Sequence, residues 1–592
     1  MNKTEKIICL LLGAALAWYL WTETGRAKER AKYAAEQAAI AATNAVAQAE
    51  APSDAAKDAP AADAKEEPAG EPAKSVPAKP SVPEETVVLE NDQLRLELSS
   101  WGAVVKKATL KKYARNVGEI GEGNPALEFD FGASPLGEIG GEPSLGSGSA
   151  YGVKSASSNE VVFSNGYAER RIGLLPDYRI VFDDAFDKAK FGGAAHPTTL
   201  SIGAVAMGAS KNDILSVDSW AMNAGKGKEG VLHHCEGDSP LKGYLVGGIG
   251  GCSGSGDASA MPAEAEVDYQ GAQKWVALKN RFFVSALASS TEPNAGFSAT
   301  VVRDVSSRNY RPESVSGAVR FADLPEKRTS VFYVGPKRQS LLWDLGMKDV
   351  MEFGMWRWLC YPLVWVLNFF NGLIPSFGVA IILLTIAVRL VFWPLTRKST
   401  EGMKKMQELQ PLMKEIQAKY KDNPQRLQQE TWALYKEKKV NPMSSCLPML
   451  IQIPVFIALF NVLRSAVELR YAPFLWIGDL SEPEGLFASW FPFGGLNILP
   501  ILMAVSTGLQ SAFTPSTGDK SQQKMMMVFM PVMMLFMFYS FPSALSLYWF
   551  LSNLLSIVQM WMIRRQTAAK QSAAVAPEVI DPPVTRQMRR HG

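Results

Sequence analysis

One apolar run with a single charge in it constrains this chain more than any other feature. Residues 377–393, FGVAIILLTIAVRLVFW, would form about 25 Å of helix, which is enough to cross a bilayer. Arg389 lies near the end of the run, and no acidic residue within the run can pair with it. A guanidinium at that depth costs on the order of 3 kcal/mol and cannot be neutralised by losing a proton. The side chain must therefore extend to the lipid headgroups or face a hydrated cavity inside the protein.

The composition indicates a membrane protein with a large water-exposed insert. Charged residues make up 20% of the 592 residues, which is below the usual share of a soluble protein. The middle third is polar and rich in Gly and Ser, whereas the last 240 residues hold most of the long apolar runs. The net charge of +3 gives no support to nucleic-acid binding.

The N-terminus has the pattern of a membrane anchor followed by a linker. Lys3 and Lys6 precede an apolar run over residues 7–21, which also has the length of a signal-peptide core. The run ends in bulky aromatic residues with no small-x-small site directly after it, which favours an uncleaved anchor over residues 1–24. Residues 25–85 are rich in Ala, Lys and Glu and then in Ala and Pro, as in an extended spacer.

Residues 86–336 carry the pattern of an all-β sandwich. Short runs such as TVVLENDQLRLELSS and RTSVFYVGPK alternate apolar and polar residues and are separated by turn residues. No pair of acidic residues stands at a spacing that would indicate catalysis. Cys235 and Cys252 both fall in this region and form a disulfide or remain two free thiols; the sequence does not decide.

The next region, residues 337–375, is predicted to lie in the outer membrane interface. It contains a stretch rich in Trp and Phe that is interrupted by Pro362. If both this stretch and residues 377–393 crossed the bilayer, the basic segment that follows would lie outside, against the positive-inside rule.

That basic segment, residues 397–441, is predicted to be a cytoplasmic helical hairpin. It contains eleven Lys and Arg residues against six Asp and Glu residues. Apolar residues recur at helical spacing up to Tyr420 and again from Leu427, and Asn423-Pro424 separates the two stretches. The apolar stripes would pack on each other, and the basic outer face would suit a ribosome or a nascent chain.

Four further runs complete a predicted five-span core over residues 376–565. They are residues 446–463, 496–513, 525–541 and 544–563. With the N-terminal anchor, the chain would have six spans, both termini in the cytoplasm and every basic loop on the same side, including the tail over residues 566–592.

Polar residues recur inside these spans and are candidates for a wet groove that would hydrate Arg389. Each residue alone is usually a helix–helix contact, but several on one face would line a cavity. They are Thr385, Gln452, Ser506, Gln510, Ser552, Asn553 and Gln559. Seven methionines between Met525 and Met537 would supply an adaptable wall or ordinary lipid-facing packing.

Motifs for other functions are absent from the sequence. It contains no Walker loop, no zinc motif, no G-x-S-x-G and no acidic residue within the six spans. We therefore expect no cofactor, no metal and no enzyme activity. A groove open to cytoplasm and lipid would let a polar segment enter in water while an apolar segment leaves sideways into the bilayer.

Residues 377–565 resemble the core of the YidC family of membrane protein insertases. The matching motifs are IAVRLVFWPLT at 386–396, LQPLMKEIQAKYKDNPQRLQQE at 409–430, LYKEKKVNPMSSCLPMLIQIPVFIALF at 434–460, ELRYAPFLWIGDL at 468–480 and FPSALSLYWFLSNLLSIVQ at 541–559. The anchor and large β domain resemble the Gram-negative form, whose periplasmic domain is a β-supersandwich similar to sugar-mutarotase folds.

The resemblance implies a membrane protein insertase and chaperone of the cell inner membrane, with nascent membrane proteins, the lipid bilayer, the ribosome and the Sec translocon as partners. It also implies a substrate groove at Arg389, with Gln452, Tyr548 and Trp549 near the substrate path. Trp549 stands where many relatives have a second tyrosine, so that contact is the weakest of the set.

Two other functions remain as alternatives. A small-solute transporter would need inverted repeats and broken helices with ion ligands at mid-membrane, which the sequence does not contain. A membrane-anchored periplasmic sugar-processing enzyme would need a clustered acid–base pair in the β domain.

Overall fold

The computed structural model describes residues 82–116, 120–121, 124–192, 195–206, 215–221, 231–236, 264–303, 312–440, 447–487, 495–514 and 520–574. The chain divides into two compact units, Met1–Val350 and Met351–Gly592. The predicted anchor, nearly all of the predicted linker, Cys252 and residues 575–592 lie outside the described residues, so the predictions about them stay untested.

The first unit is built of antiparallel strands, which confirms the prediction of a β-rich domain. In chain order the strands are β1 (Thr86–Glu90), β2 (Leu94–Ser99), β3 (Val104–Ala114), β4 (Ala126–Asp130), β5 (Ile139–Gly140), β6 (Gly152–Ala156), β7 (Glu160–Ser164), β8 (Ala168–Leu175), β9 (Arg179–Phe186), β10 (Thr198–Ala206), β11 (Ser216–Ala221), β12 (Val231–Glu236), β13 (Glu264–Gln270), β14 (Gln273–Lys279), β15 (Phe283–Ser290), β16 (Gly296–Arg303), β17 (Pro312–Phe321) and β18 (Lys327–Pro336).

These strands form three sheets. The orders are β1-β2-β3-β4, β13-β16-β17-β10-β5 and β12-β11-β14-β15-β18-β9-β8-β7-β6. The five-stranded and nine-stranded sheets pack together, since the Ser285 hydroxyl on β15 donates a 2.7 Å hydrogen bond to the Ile202 carbonyl on β10. The sandwich core therefore lies between these two sheets.

Strand alternation decides which side chains enter this core. On β9, Ile180, Phe182, Asp184 and Phe186 are buried while the residues between them are partly exposed. Successive strand residues point to opposite faces of a sheet, so the buried Asp184 belongs to the core-facing set. The Asp184 carboxylate is paired with two buried arginines, Arg170 on β8 and Arg328 on β18.

The helices are α1 (Gln339–Asp344), α2 (Arg357–Leu373), α3 (Phe377–Glu408), α4 (Gln410–Lys419), α5 (Pro424–Glu437), α6 (Leu447–Ser465), α7 (Ile498–Phe513), α8 (Lys520–Phe538) and α9 (Ser543–Ala574). Short 3-10 turns cover Lys188–Phe191, Lys348–Met351, Gly354–Trp356 and Val467–Leu469. The first unit includes α1, and the second unit contains α2 to α9.

Two described helical stretches, Phe377–Glu408 and Ser543–Ile563, are long and apolar enough to cross a membrane. Gln452–Ser465, Ile498–Phe513 and Met527–Phe538 are shorter apolar stretches. The long C-terminal helix α9 is central to the second unit, because it packs against α3, α6 and α7. Residues on different faces of α9 therefore contact different helices.

Four helices of the second unit contain an internal proline: Pro362 in α2, Pro394 in α3, Pro454 in α6 and Pro531 in α8. A proline removes one backbone hydrogen bond and would weaken an exposed helix in water. In an apolar surrounding the remaining backbone hydrogen bonds favour the helix, because unpaired backbone groups have no water to bond.

Helix α3 does not end where the span was expected to end. The sequence predicts a span over residues 377–393 and a separate hairpin over residues 397–441, but one helix of 32 residues covers the span and the first part of the hairpin, as far as Glu408. Residues 397–408 are mostly good helix formers, so the helix continues through Pro394. The expected break at Asn423-Pro424 is present, where the Asn423 side chain accepts a 3.1 Å hydrogen bond from the Arg426 amide and begins α5.

Helix α2 has an exposed aromatic face. Trp358, Trp365 and Phe369 are each more than half exposed, whereas Cys360, Leu363, Val364 and Leu367 are buried. One face of α2 therefore packs within the second unit, and the other face exposes aromatic rings. Its place in the outer membrane interface stays a prediction.

Candidate functional site

The candidate site begins at Arg389, which lies twelve residues after the start of α3, or about 18 Å along the helix axis. The guanidinium extends to Ser552 on α9. Its Nε donates a 3.1 Å hydrogen bond to the Ser552 hydroxyl, and its Nη2 donates to both that hydroxyl and, at 2.8 Å, the Ser552 carbonyl. Among the described residues, the Nη1 group of Arg389 has no protein partner, so two N–H donors remain available.

A second polar pair lies next to this contact. Gln452 on α6 donates from Nε2 to the Tyr548 hydroxyl on α9, at 3.1 Å. Tyr548 precedes Ser552 by four residues, so both side chains lie on the same face of α9. The face thus brings together Arg389, Ser552, Tyr548 and Gln452 from three helices, with one positive charge and only neutral partners.

Thr385 lies one turn before Arg389 on the same face of α3 and is fully buried. Its hydroxyl donates a 2.6 Å hydrogen bond to the Ile381 carbonyl within the helix. This local bond satisfies the hydroxyl donor without a partner from another helix.

The predicted residues of α7 form a different cluster with Asn553. The Asn553 Nδ2 group donates to the Ser506 hydroxyl at 3.0 Å and to the Thr507 hydroxyl at 2.8 Å. Adjacent residues of a helix point about 100° apart, so Asn553 faces α7 while its neighbour Ser552 faces Arg389. This cluster holds α7 against α9, and Gln510 lies one turn beyond Ser506, partly buried.

Trp549 lies in an aromatic cluster rather than beside a polar group. Its ring is 4.9 Å from Phe456 on α6, edge to face, and 5.3 Å from Phe538 on α8. Such aromatic contacts favour a role in packing these three helices. The predicted residues therefore separate into the Arg389 face, the Asn553 cluster and the Trp549 cluster.

Ser552, one of the polar residues predicted to line the groove, is the direct hydrogen-bond partner of Arg389. The sequence predicts it as one of several groove residues but does not single it out as the residue that bonds to Arg389. The signal available in the sequence was its spacing of four residues from Tyr548, which places both on one helix face.

The groups of the Arg389 face can bind a polar ligand. It supplies hydrogen-bond donors, hydroxyl groups and one fixed charge. Across the described ranges, no three His, Cys, Asp or Glu side chains come together in a way that could hold a metal ion.

Known families match most of the chain that follows the anchor region. The model of the 60Kd inner membrane protein family matches residues 369–571, and that of the YidC periplasmic domain matches residues 255–366. A protein named membrane protein insertase YidC from Prosthecochloris aestuarii is 30% identical over 576 residues, which cover 90% of this chain and 93% of that protein.

Other relatives match over a shorter region. The protein of the same name from Syntrophobacter fumaroxidans is 41% identical over 297 residues, covering 49% of this chain and 53% of its own length. The chain thus spans about half of that relative. The crystal structure of YidC from Thermotoga maritima aligns with 80% of this chain and 98% of its own at 14% identity, with a TM-score of 0.28, too low for a detailed comparison.

The long Prosthecochloris alignment covers both units, the 60Kd inner membrane protein match lies in the helical unit, and the periplasmic-domain match lies mostly in the β-rich unit. The chain belongs to the YidC family of membrane protein insertases.

Proposed function

We propose that this chain inserts membrane proteins by holding the polar part of a client at the Arg389 face while the apolar part moves into lipid. The observation that carries the proposal is the bonding state of Arg389. It lies within a helix long and apolar enough to span a membrane, it bonds only to neutral Ser552 among the described residues, and it keeps two N–H donors for a ligand.

The physical task is to lower the barrier for a polar segment. A charged or strongly polar group at the bilayer centre costs several kcal/mol when it has no partner. A donor-rich face next to lipid would replace part of the lost hydration. The client's apolar span would then leave the groove, because its burial in lipid is favourable.

The proposal includes a topology. Six spans, with an anchor at residues 1–24 and five spans within 376–565, would leave both termini in the cytoplasm. The β domain at residues 86–336 would be periplasmic, the region 337–375 interfacial and the tail 566–592 cytoplasmic. The excess of basic residues in the hairpin over residues 397–441 supports this orientation.

The proposed partners rest on this topology and on the resemblance to the YidC family. Nascent membrane proteins would enter from the cytoplasmic side, where the basic hairpin and tail would contact the ribosome. Some clients would arrive through the Sec translocon and be chaperoned while they fold. The proposed mechanism needs no covalent chemistry and no cofactor.

The test replaces Arg389 in cells whose own insertase is depleted. We expect Arg389→Ala to lower the insertion of a reporter client with a charged translocated tail by about tenfold, the equivalent of one hydrogen bond to a charged group. Arg389→Lys should keep more activity, because the charge remains. The measurement is protease protection of the reporter's translocated tail.

Leu390→Ala is the matched control, because Leu390 is the next residue of the same helix but points about 100° away from Arg389 and is exposed. It should leave insertion unchanged. Full activity of both Arg389→Ala and Arg389→Lys would remove Arg389 from the mechanism.

A further inference from the structure

We propose that the groove continues toward the cytoplasmic end of α9 and that Gln559 is a client-binding residue there, donating from its side-chain amide to a peptide carbonyl of the entering segment. This inference rests on the proposed insertase function and adds a second contact point to it.

The first support is the arrangement of polar residues on α9. Tyr548, Ser552, Ser556 and Gln559 follow one another at spacings of four, four and three residues, which keeps them on one helix face. All four are at most 7% exposed. Ser552 bonds to Arg389 on α3, so this polar face is directed toward α3, and Gln559 lies about 10 Å beyond Ser552 along the axis.

The second support is the hydrogen bonding of these four residues, which form the polar stripe of α9. Tyr548 accepts from Gln452, Ser552 accepts from Arg389, and the Ser556 hydroxyl donates a 2.9 Å hydrogen bond to the Ser552 carbonyl. The Nε2 group of Gln559 is buried and has no hydrogen-bond partner in the described part of the chain. A buried amide donor without an acceptor is unfavourable, so an acceptor brought by a ligand would be bound there.

The chemistry of the two open positions indicates what they would bind. The Nη1 group of Arg389 and the Nε2 group of Gln559 are both hydrogen-bond donors. A segment rich in acceptors satisfies both, and every peptide backbone supplies carbonyl acceptors at short intervals. The stripe would therefore hold an unfolded polar segment by its backbone, independently of the sequence of that segment.

The test compares three variants of the full chain in reconstituted vesicles. Gln559→Leu removes the donor at similar volume, and Gln559→Glu keeps the shape but replaces the amide donor with an acceptor. Ser546→Ala is the control, because Ser546 is also a buried residue of α9 whose hydroxyl has no partner, but it lies off the polar stripe.

We expect both Gln559 variants to slow insertion of a client with a polar translocated tail by roughly three- to tenfold, the loss of one hydrogen bond. Ser546→Ala should insert at the wild-type rate. A photoreactive residue at position 559 should crosslink to a stalled nascent chain, whereas one at position 546 should not.

The stability of each variant in detergent separates binding from folding. Gln559→Leu should melt no lower than the wild-type protein, since it removes an unsatisfied buried amide. Wild-type insertion by Gln559→Leu, or no crosslink from position 559, would overturn the proposal. If Arg389→Ala lowers insertion under the same conditions, the proposed function stands while the role of Gln559 fails.

Discussion

The arginines of the two units have different kinds of partner: Arg170 and Arg328 of the β unit are fully buried, and Arg389 of the helical unit is partly buried. In the β unit, Arg170 and Arg328 share the carboxylate of Asp184, and all three side chains are at most 1% exposed. In the helical unit, Arg389 bonds to the hydroxyl and carbonyl of Ser552, which carry no formal charge. A cation with a carboxylate partner contributes to structure, whereas one with neutral partners keeps its charge available to a ligand.

In the β cluster of Arg170, Asp184 and Arg328, all three guanidinium nitrogens of Arg170 are hydrogen-bonded, whereas the buried Nε and Nη1 groups of Arg328 have no hydrogen-bond partner among the described residues. Arg170 donates from Nε at 2.7 Å and from Nη2 at 3.2 Å to the two carboxylate oxygens of Asp184. Its Nη1 donates to the carbonyls of Gly102, Ala103 and Gly137. Arg328 donates from Nη2 to Asp184 at 3.0 Å and lies over the Phe321 ring. These contacts connect β8, β9 and β18 with the loop between β2 and β3 and the loop between β4 and β5.

The largest effect is expected at the shared carboxylate. Asp184→Asn would leave two buried arginines with no negative charge, and breaking a buried ion pair costs about 3–5 kcal/mol of the free energy of unfolding. Pulse proteolysis of the full chain in urea measures that free energy. Asp183→Asn is the control, because Asp183 is partly exposed and an amide oxygen can still accept from the Thr329 hydroxyl.

If Asp184→Asn lowers the free energy of unfolding by less than about 1 kcal/mol, the carboxylate does not stabilise the two arginines and the contrast with Arg389 fails. Equal losses of stability for Asp184→Asn and Asp183→Asn would also contradict it, because the loss would then not depend on the buried carboxylate.

The pH dependence of the β unit gives a smaller, independent test. Burial alone would raise the pKa of the Asp184 carboxyl, but the guanidinium groups of Arg170 and Arg328 outweigh it and hold that pKa below its ordinary value. A depressed folded-state pKa gives stability that is fully present above the unfolded pKa, about 3.9, and is lost as the pH falls through the folded value.

We therefore expect the urea midpoint of the β unit to stay level from pH 7 to about pH 5 and to decrease below about pH 4. Pulse proteolysis with pepsin at the acidic end measures it. Asp184→Asn should flatten this acid limb, and an unchanged limb in that variant would assign the titration to other carboxyl groups.

The comparison also shows what the sequence can and cannot predict. Strand alternation and apolar runs are local patterns, so the β-rich unit and the apolar helices followed from them. The charged core did not, because Arg170, Asp184 and Arg328 become neighbours only through the pairing of β8, β9 and β18. A charge in a strand pattern looks solvent-facing until its partner across the sheet is known.

In the candidate site, too, single residues could be predicted from the sequence but their partners could not. Arg389 and Gln452 were predictable because a polar residue in an apolar run is conspicuous by itself. Their partners were not, since Ser552 is 163 residues from Arg389 and Tyr548 is 96 residues from Gln452. The separation of Ser552 from Asn553 also depends on which helices pack against α9, and helix packing is not encoded in residue spacing.

Thiol labelling tests most directly whether the Arg389 face is a hydrated groove within the membrane. In a chain with its five cysteines replaced, Gln452→Cys places a thiol beside Tyr548, while Ile453→Cys places one on the neighbouring exposed apolar position. A maleimide that cannot cross membranes reacts with thiolates, which form only where water reaches. Added from the cytoplasmic side, it should label Gln452→Cys at least about tenfold faster than Ile453→Cys. Equal labelling rates, or a Gln452→Cys protein that is not labelled, would contradict a hydrated groove at the Arg389 face.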